Sequence, residues 1–462
     1  MRLRLPALLS CLIAGTYLLT RAPIEAAQGV APAAALFEGA RLIAGDGRPP
    51  IESSAVLVEH GSFTRIGKKG AIPLPRGATR VDLTGKTIIP GLISLHAHVG
   101  YLKGVTFAAD NYTRDNIVDH LNRFLYYGIV GVMSTGTDPG QLPYQLRSDP
   151  HPGALFRTAG RGLAAPGAST GNLAMRSVAY GVATEAEARR DVRELAAQRP
   201  DFIKIWVDDR NGAVQKLSPA LYRAIIDEAH RHKIRVMAHV YYLADARDLV
   251  EAGVDGFLHL VRDDEMDDRL VRRMKEKGVF VTPNLGTSEA GTYTRKPAWL
   301  DDPALTETAT AAEIKKVSDV YAARETPPVG GGAITPRPAA VSYLRQQRSL
   351  ARLNAAGVTI ALGNDTGIEN TFFGYGEHHE FELLVAAGMT PMQVIVAATR
   401  TPAALLRLDR LGSVAPGKRA DFVVLDANPL ENIADTRKIT TVYQGGQAID
   451  RQAMRAAWTS RR

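Results

Sequence analysis

The sequence predicts an α/β chain: a (β/α)8 TIM barrel carrying a small discontinuous β-sandwich-like domain made from its N- and C-terminal segments. Three observations carry this reading. After Gly85, apolar strand-like runs alternate with helical patterns, and eight such runs can be counted. Before Gly85 and after Leu406 the chain reads as short β pieces broken by Gly and Pro. The chain has 462 residues, 45% hydrophobic and 23% charged, with 42 Gly and 26 Pro. That length accommodates one barrel with a companion, and the composition excludes disordered, collagen-like and polytopic membrane chains.

Taken in order, residues 1–27 have the plan of a secretory signal peptide: Arg2 and Arg4, an apolar stretch over 5–19, then the small residues Ala26 and Ala27. The stretch is short for a bilayer span, which needs roughly 20 residues. A retained anchor, or a lipoprotein built on Cys11, is the alternative. Periplasmic or secreted location is expected, and cleavage would remove Cys11, the single cysteine. Residues 33–85 carry β pieces at 55–58 and 63–66 between turns at Gly45, Gly47, Pro49, Pro50, Gly61 and Pro75. The barrel is expected over 86–406, with strands at 88–95, 129–134, 154–158, 202–207, 234–238, 256–258, 279–282 and 359–362. Among its helices, Ser218 and Pro219 form an N-cap and N1 pair, and Leu221, Ile225 and Ala229 recur at helical spacing. The seventh connection, 285–350, is too long for a plain loop and reads as a lid-like insertion with a flexible tract at 327–332. Residues 407–450 return to β character and rejoin the N-terminal sheet, leaving 451–462 as a basic tail with Arg451, Arg455, Arg461 and Arg462. The net charge of +8 is otherwise diffuse. It suits steering of anionic substrates and points to no nucleic-acid site.

The residues that carry chemistry sit at predicted strand ends. His96 and His98 are two apart, so the strand period turns both imidazoles to one side. Lys204 stands inside the apolar strand of 202–207, where an ammonium is costly to desolvate. It is either a core lysine paired with a carboxylate or a lysine of depressed pKa able to take up carbon dioxide as a carbamate. His239, His259 and Asp365 close the fifth, sixth and eighth runs, at the face where barrel enzymes place their sites. With one cysteine, any metal here must use N and O ligands, a set suited to Zn and similar ions. Tyr241, two after His239, and His379 are candidate substrate contacts; packing and a solvated loop are the competing readings. His378 shares that loop. His60, His120, His151, His230 and His232 fit exposed positions.

At these residues the chain resembles the amidohydrolase superfamily, in particular its bacterial branch of imidazolonepropionase-like, prolidase-like and aryldipeptidase-like enzymes. The marks are Pro90, Gly91, Leu92 and Ile93 before His96 and His98, the strand around Lys204, His239 after Ala238, the run from Gly253 to His259, Asn364 with Asp365, and Gly417 to Asp421. The resemblance implies two divalent metal ions, with Zn expected. His96, His98 and Asp365 would hold one, His239 and His259 the second, and carboxylated Lys204 would bridge them. Ser94 replaces a frequent Asp and Asn364 a frequent Thr or Ser, which alters what surrounds the ligands and removes none.

The expected enzyme is a secreted binuclear-metal amidohydrolase. It would cleave an amide bond of a dipeptide, N-acyl amino acid or aryl amide by attack of metal-bound hydroxide, with Asp365 as general base and then acid. A cyclic amide hydrolase or a deaminase is the alternative enzyme on this scaffold, and a catalytically silent binding barrel the alternative class. The partner is a small-molecule amide, with no stable membrane insertion after processing and homo-oligomerisation open. Loops near Tyr101, 161–177 and 285–350 would set its identity.

Overall fold

The computed structural model describes residues 34–324 and 338–459. The expected signal segment with Cys11, the 327–332 tract, Arg461 and Arg462 lie outside the described residues.

Two small sheets are built from the chain's ends. One orders Ser62–Lys68, Ser54–Glu59, Ala34–Glu38 and Thr79–Asp82. The other orders Arg41–Leu42, Thr87–Pro90, Phe422–Leu425, Ile439–Gln444 and Gln447–Ala448, so two N-terminal strands join three C-terminal ones in one sheet. Phe37, Val56 and Phe63 from the first sheet pack with Ile88, Phe422 and Val424 from the second in one apolar cluster. Phe37 meets Phe422 edge-on at 5.1 Å between ring centroids, and Tyr443 stacks on Phe422 at 4.4 Å. Such aromatic pairs add about 0.5–1.5 kcal/mol beyond the area they bury.

The strand expected at 88–95 is two strands. Thr87–Pro90 belongs to the small sheet, and Leu92–Ala97 runs parallel to Ile129–Ser134. Gly91 is the joint. Its N–H bonds Asp421 O at 2.9 Å, and a Cβ there would sit 2.6 Å from the Val130 side chain, so only a glycine lets the chain step between sheets here.

Beyond this joint, parallel strands alternate with helices. Leu92–Ala97, Ile129–Ser134 and Leu155–Thr158 form one sheet. Tyr180–Gly181, Leu163–Ala164, Ile203–Val207, Val236–Val240, Gly256–Leu258 and Phe280–Thr282 form another. Every residue of Leu92–Ala97, Ile129–Ser134 and Ile203–Val207 is buried, as expected of parallel strands covered on both faces. The eighth run, 359–362, has a single bridge, between Ile360 and Val281. It still hydrogen-bonds on both sides: Val281 N to Thr359 O at 3.0 Å, and Leu95 N to Leu362 O at 2.8 Å.

The helices start and stop where their sequences direct. Ser218 accepts from Leu221 N to open Pro219–Arg231, which buries Ile225 and Ala229. Thr184 and Glu187 form a reciprocal cap on Glu185–Ala197, and left-handed Gly253 and Gly278 end Leu243–Ala252 and Asp268–Lys277. The seventh connection holds Leu285–Glu289, Ala311–Ala322 and the start of Pro338–Ala355. Its Leu300, Leu305, Val317 and Tyr321 pack with Tyr126, Tyr127 and Trp458. The basic tail is a docked helix in its described part. Arg451–Thr459 buries Trp458, and Arg451 donates to Ile439 O at 2.8 Å and pairs with Glu307 at 3.1 Å. No described helix is long and apolar enough to cross a membrane.

Candidate metal centre

Strand ends set the site. His96 lies in Leu92–Ala97 and His98 just beyond it. Backbone bonds fix the segment carrying Asp365 against them, Asp365 N to His96 O at 3.0 Å and His98 N to Thr366 O at 2.7 Å. Asp365 Oδ1 therefore stands 3.1 Å from His96 Nε2 and 3.0 Å from His98 Nε2, and one ligand atom from each of the three lies within 4.8 Å of the others. The His96 nitrogen and the Asp365 oxygen are sealed from solvent without a hydrogen-bond partner. Orphaned buried polar atoms of this kind are rare and costly, of order 1–3 kcal/mol each, and a shared cation would satisfy both.

His98 Nδ1 lies 2.7 Å from the Thr137 hydroxyl, which can accept its proton and leave Nε2 as a free lone pair toward Asp365. His239 is held through Nε2 by Asp208 at 3.0 Å, which leaves Nδ1 free to bind. Its ring centroid is 4.6 Å from that of His259, which is 5.1 Å from that of His96. His259 Nε2 reaches to 3.7 Å from Asp365 Oδ2. The structure thus gathers His96, His98 and Asp365 tightly, with His259 and His239 continuing the same row.

Burial drives His96 and His239 down to about 4 and His259 well below its usual value, so all three rings are neutral near pH 7. Burial works to raise Asp365, but the neighbouring His96 and His98 hold it well below the ordinary carboxylate range. Neutral imidazoles beside an ionised carboxylate are the protonation states a cation requires.

Lys204 is buried in Ile203–Val207 beneath Gly136, where a Cβ would sit 2.6 Å from its Cγ. Among the described residues no carboxylate forms an ion pair with it; its ammonium lies 5.0 Å from the Trp206 ring centroid. Burial lowers it to about 7, against the pull of Asp365. The paired core lysine, one of the two sequence readings, is therefore not what forms.

Three site residues hold left-handed backbone, His259 at φ 88°, Asn284 at 51° and Asp365 at 59°. Such conformations cost of order 1–3 kcal/mol each and persist where surrounding structure imposes them. Sequence reasoning missed Thr137, Asp208, Arg262 and Asn284. Asp208 follows Val207 and Asn284 closely follows Thr282, so the strand-end rule that found His259 also applied to them.

The two substrate candidates stand on other elements than expected. The fifth strand ends at Val240, so Tyr241 lies past it, its carbonyl accepting from Arg262 N at 2.8 Å. His378 and His379 are on the helix Tyr375–Ala386 and not in a solvated loop. His378 is fully buried between Thr436 Oγ1 and Tyr127 O, both at 2.8 Å, because the helix packs that face inward. His379 bonds Glu289 at 2.7 Å and lines a chamber of about 110 Å³ with Tyr293, Trp299, Phe372 and Asn364. His120 is also buried, bridging Gly100 N and Leu102 O, whereas His60, His230 and His232 are exposed as expected.

Comparison with known proteins places this geometry. The Amidohydrolase family matches residues 87–449. Ochratoxinase from Aspergillus niger is 25% identical, the alignment covering 88% of this chain and 84% of that protein. A Xaa-Pro dipeptidase crystal structure with bound methionine superposes with a TM-score of 0.70 at 22% identity, over 90% of this chain and 99% of that one. Molinate hydrolase does so at 0.69 and 22%, over 92% and 96%. At those identities the two structures speak to the fold. With the family match running from the strand before Gly91 to the returning C-terminal sheet, the chain belongs to the amidohydrolase family and is a hydrolase of carbon–nitrogen bonds.

Proposed function

We propose that this amidohydrolase holds two divalent metal ions and cleaves the amide bond of a dipeptide, N-acyl amino acid or aryl amide. The observation that carries the reading is the pair of sealed, unpartnered atoms, His96 Nε2 and Asp365 Oδ1, facing each other beside His98. Members of the family are generally metal-dependent. His96, His98 and Asp365 would hold one ion and His239 and His259 the other, with Lys204 between them. When bound, such ions supply Lewis acidity toward the amide carbonyl and make water acidic enough to attack near neutral pH.

The chain's own groups do the rest. Asp365 Oδ1 faces the imidazoles, so Oδ2 is the atom that takes the proton of the attacking water and returns it to the departing amine. With its amine near pKa 7, Lys204 has an unprotonated fraction whose nitrogen can add to carbon dioxide and lose a proton, giving a carbamate. Thr137 and Asp208 fix the tautomers of His98 and His239. His379 and Tyr241 border the substrate.

We further read 86–406 as one closed barrel with 285–350 as its lid, and 33–85 with 407–450 as one discontinuous β domain. The bonds of 359–362 to both Val281 and Leu95, and of Asp201 N to Thr158 O at 2.9 Å, favour closure. Residues 1–27 direct export; N-terminal sequencing of protein recovered outside the cytoplasm should start near Gln28, and a chain beginning at Met1 would defeat this.

The central test is metal content with a panel of N-acyl amino acids, dipeptides and aryl amides. Wild type should carry about two ions per chain and lose turnover on chelation. Lys204→Ala should lose at least one ion and most activity. A fully active, metal-free wild type would overturn the proposal.

A further inference from the structure

We propose that Asn284 orients one imidazole of each metal ion, its side-chain oxygen accepting the Nδ1 protons of both His96 and His259, so that uptake of the two ions is coupled through one amide. This rests on the ligand set proposed above and goes beyond it, to a positioning residue outside that set.

Asn284 directly precedes the short helix Leu285–Glu289. An asparagine in that place ordinarily accepts a backbone N–H of the first turn. This one makes no such bond, because Glu380 accepts from Leu285 N and Gly286 N in its stead. The backbone of Asn284 is held left-handed at φ 51°, at a cost in strain, and its released side chain is completely buried. Gly363 makes the room: a Cβ there would sit 2.9 Å from Asn284 Oδ1 and 2.7 Å from His96 Cβ.

The amide lies between two rings. Its nitrogen is 2.9 Å from His96 Nδ1 and 3.4 Å from His259 Nδ1, with Thr282 O at 3.0 Å and Thr282 Oγ1 at 3.3 Å. Two hydrogens thus meet four acceptor positions, while Oδ1 is sealed from solvent without a partner. The other nitrogen of each ring turns to Asp365, His96 Nε2 at 3.1 Å from Oδ1 and His259 Nε2 at 3.7 Å from Oδ2.

The two ends of each ring are chemically linked. An imidazole that binds a cation through Nε2 carries its proton on Nδ1, and that proton needs an acceptor. The amide nitrogen cannot be one. A half-turn of the amide, which hardly changes its shape, brings the oxygen to face both Nδ1–H groups. The turn gives up the bond to Thr282 O, and the Thr282 hydroxyl changes from acceptor to donor. Arg262 Nη2, 3.2 Å from His259 Nδ1, is a donor too and yields to the same proton. His98 and His239 are already served by Thr137 and Asp208, so Asn284 supplies the acceptor for the remaining two.

The test is zinc binding by the full chain, stripped with a chelator and titrated by calorimetry. Wild type should take up two ions. Asn284→Leu keeps the shape and removes the acceptor, and it should weaken both ions ten- to hundredfold, the scale of a lost partner to a ligating imidazole. Asn284→Asp, whose oxygens only accept, should bind both within a few-fold of wild type or more tightly. A second readout needs no variant: nitrogen-15 spectra of histidine-labelled, zinc-loaded wild type should show a proton on Nδ1 of His96 and of His259. The inference is overturned if Asn284→Leu binds either ion as wild type does, or if zinc-loaded wild type lacks either Nδ1 proton. It is also overturned if Asn284→Asp loses zinc as Asn284→Leu does, which would make the amide nitrogen the working end. A wild type that takes up fewer than two ions overturns the two-metal reading itself, and this inference with it.

Discussion

Asp365 turns Oδ1 to two imidazoles, and in the proposed mechanism its Oδ2 carries the proton, so the two proposed roles can be separated only by a change that preserves shape. Asp365→Asn should leave the fold intact and lower kcat by roughly two or more powers of ten, the scale of a lost general base. KM should move much less. Steady-state kinetics on samples of measured metal content checks this, since loss of the ion would mimic loss of the base; turnover within a few-fold of wild type at full occupancy would remove Asp365 from that role. His378 could not then inherit it, being locked between Thr436 and Tyr127. Those residues at the end of a strand were readable in advance because a strand end has one direction to point. Arg262 and Thr137 were not, since their significance lies in which atoms of His259 and His98 they approach, and no spacing rule encodes that.

The helix Tyr375–Ala386 puts Glu377 and Glu380 inside the molecule, and Glu380 accepts the backbone N–H groups of Leu285 and Gly286, each at 2.8 Å. It thereby pins the first turn of the long connection. Burial raises Glu380 to about 8 and Glu377 to about 7, despite those bonds. Unfolded, Glu380 ionises near 4.5, so between 4.5 and about 8 the native state binds more protons than the unfolded one. The contribution of Glu380 to stability therefore falls as pH rises through that window, against that of buried, neutral His96, His239 and His259, which rises up to about 6.5. Between pH 5 and pH 8 the unfolding temperature of Glu380→Gln should gain steadily on that of wild type; parallel profiles in both proteins would show that Glu380 does not titrate in this window. This element read poorly from sequence. Glu377, His378, His379 and Glu380 form a polar run that fits a solvated loop, and only packing against Ser94, Thr436 and the connection explains why a helix buries them. Pro219–Arg231, by contrast, carries its cap and apolar spacing in its own residues.

At the scale of the molecule, the ends of the chain hold its middle. Trp458 packs edge-on against Tyr126 at 5.5 Å and donates to Asp119 at 2.9 Å, tying the C-terminal helix to Arg114–Tyr126 and to the cluster under the long connection. Trp458→Ala should cost about 3–5 kcal/mol, the usual range for emptying a buried aromatic. Denaturant unfolding measures this, while kcat of the remaining folded, metal-loaded protein should be unchanged because the ring's partners Tyr126, Asp119 and Arg123 are not among the proposed metal ligands; a proportional loss of kcat would mean the helix controls the site. A docked helix at 451–459 was invisible beforehand, since four arginines in the last twelve residues look like a solvated tail. The small sheet shared by the two ends of the chain has a different consequence. Ile89 pairs with Val423, so the strand leading into His96, flanked on one side by Arg41–Leu42, finds its second neighbour only after roughly 330 further residues have been made. At about 5–20 residues per second of synthesis, that edge waits on the order of 15 to 70 seconds with its backbone unmatched. An open strand edge of that kind is a template for pairing with another chain until its own partner is made.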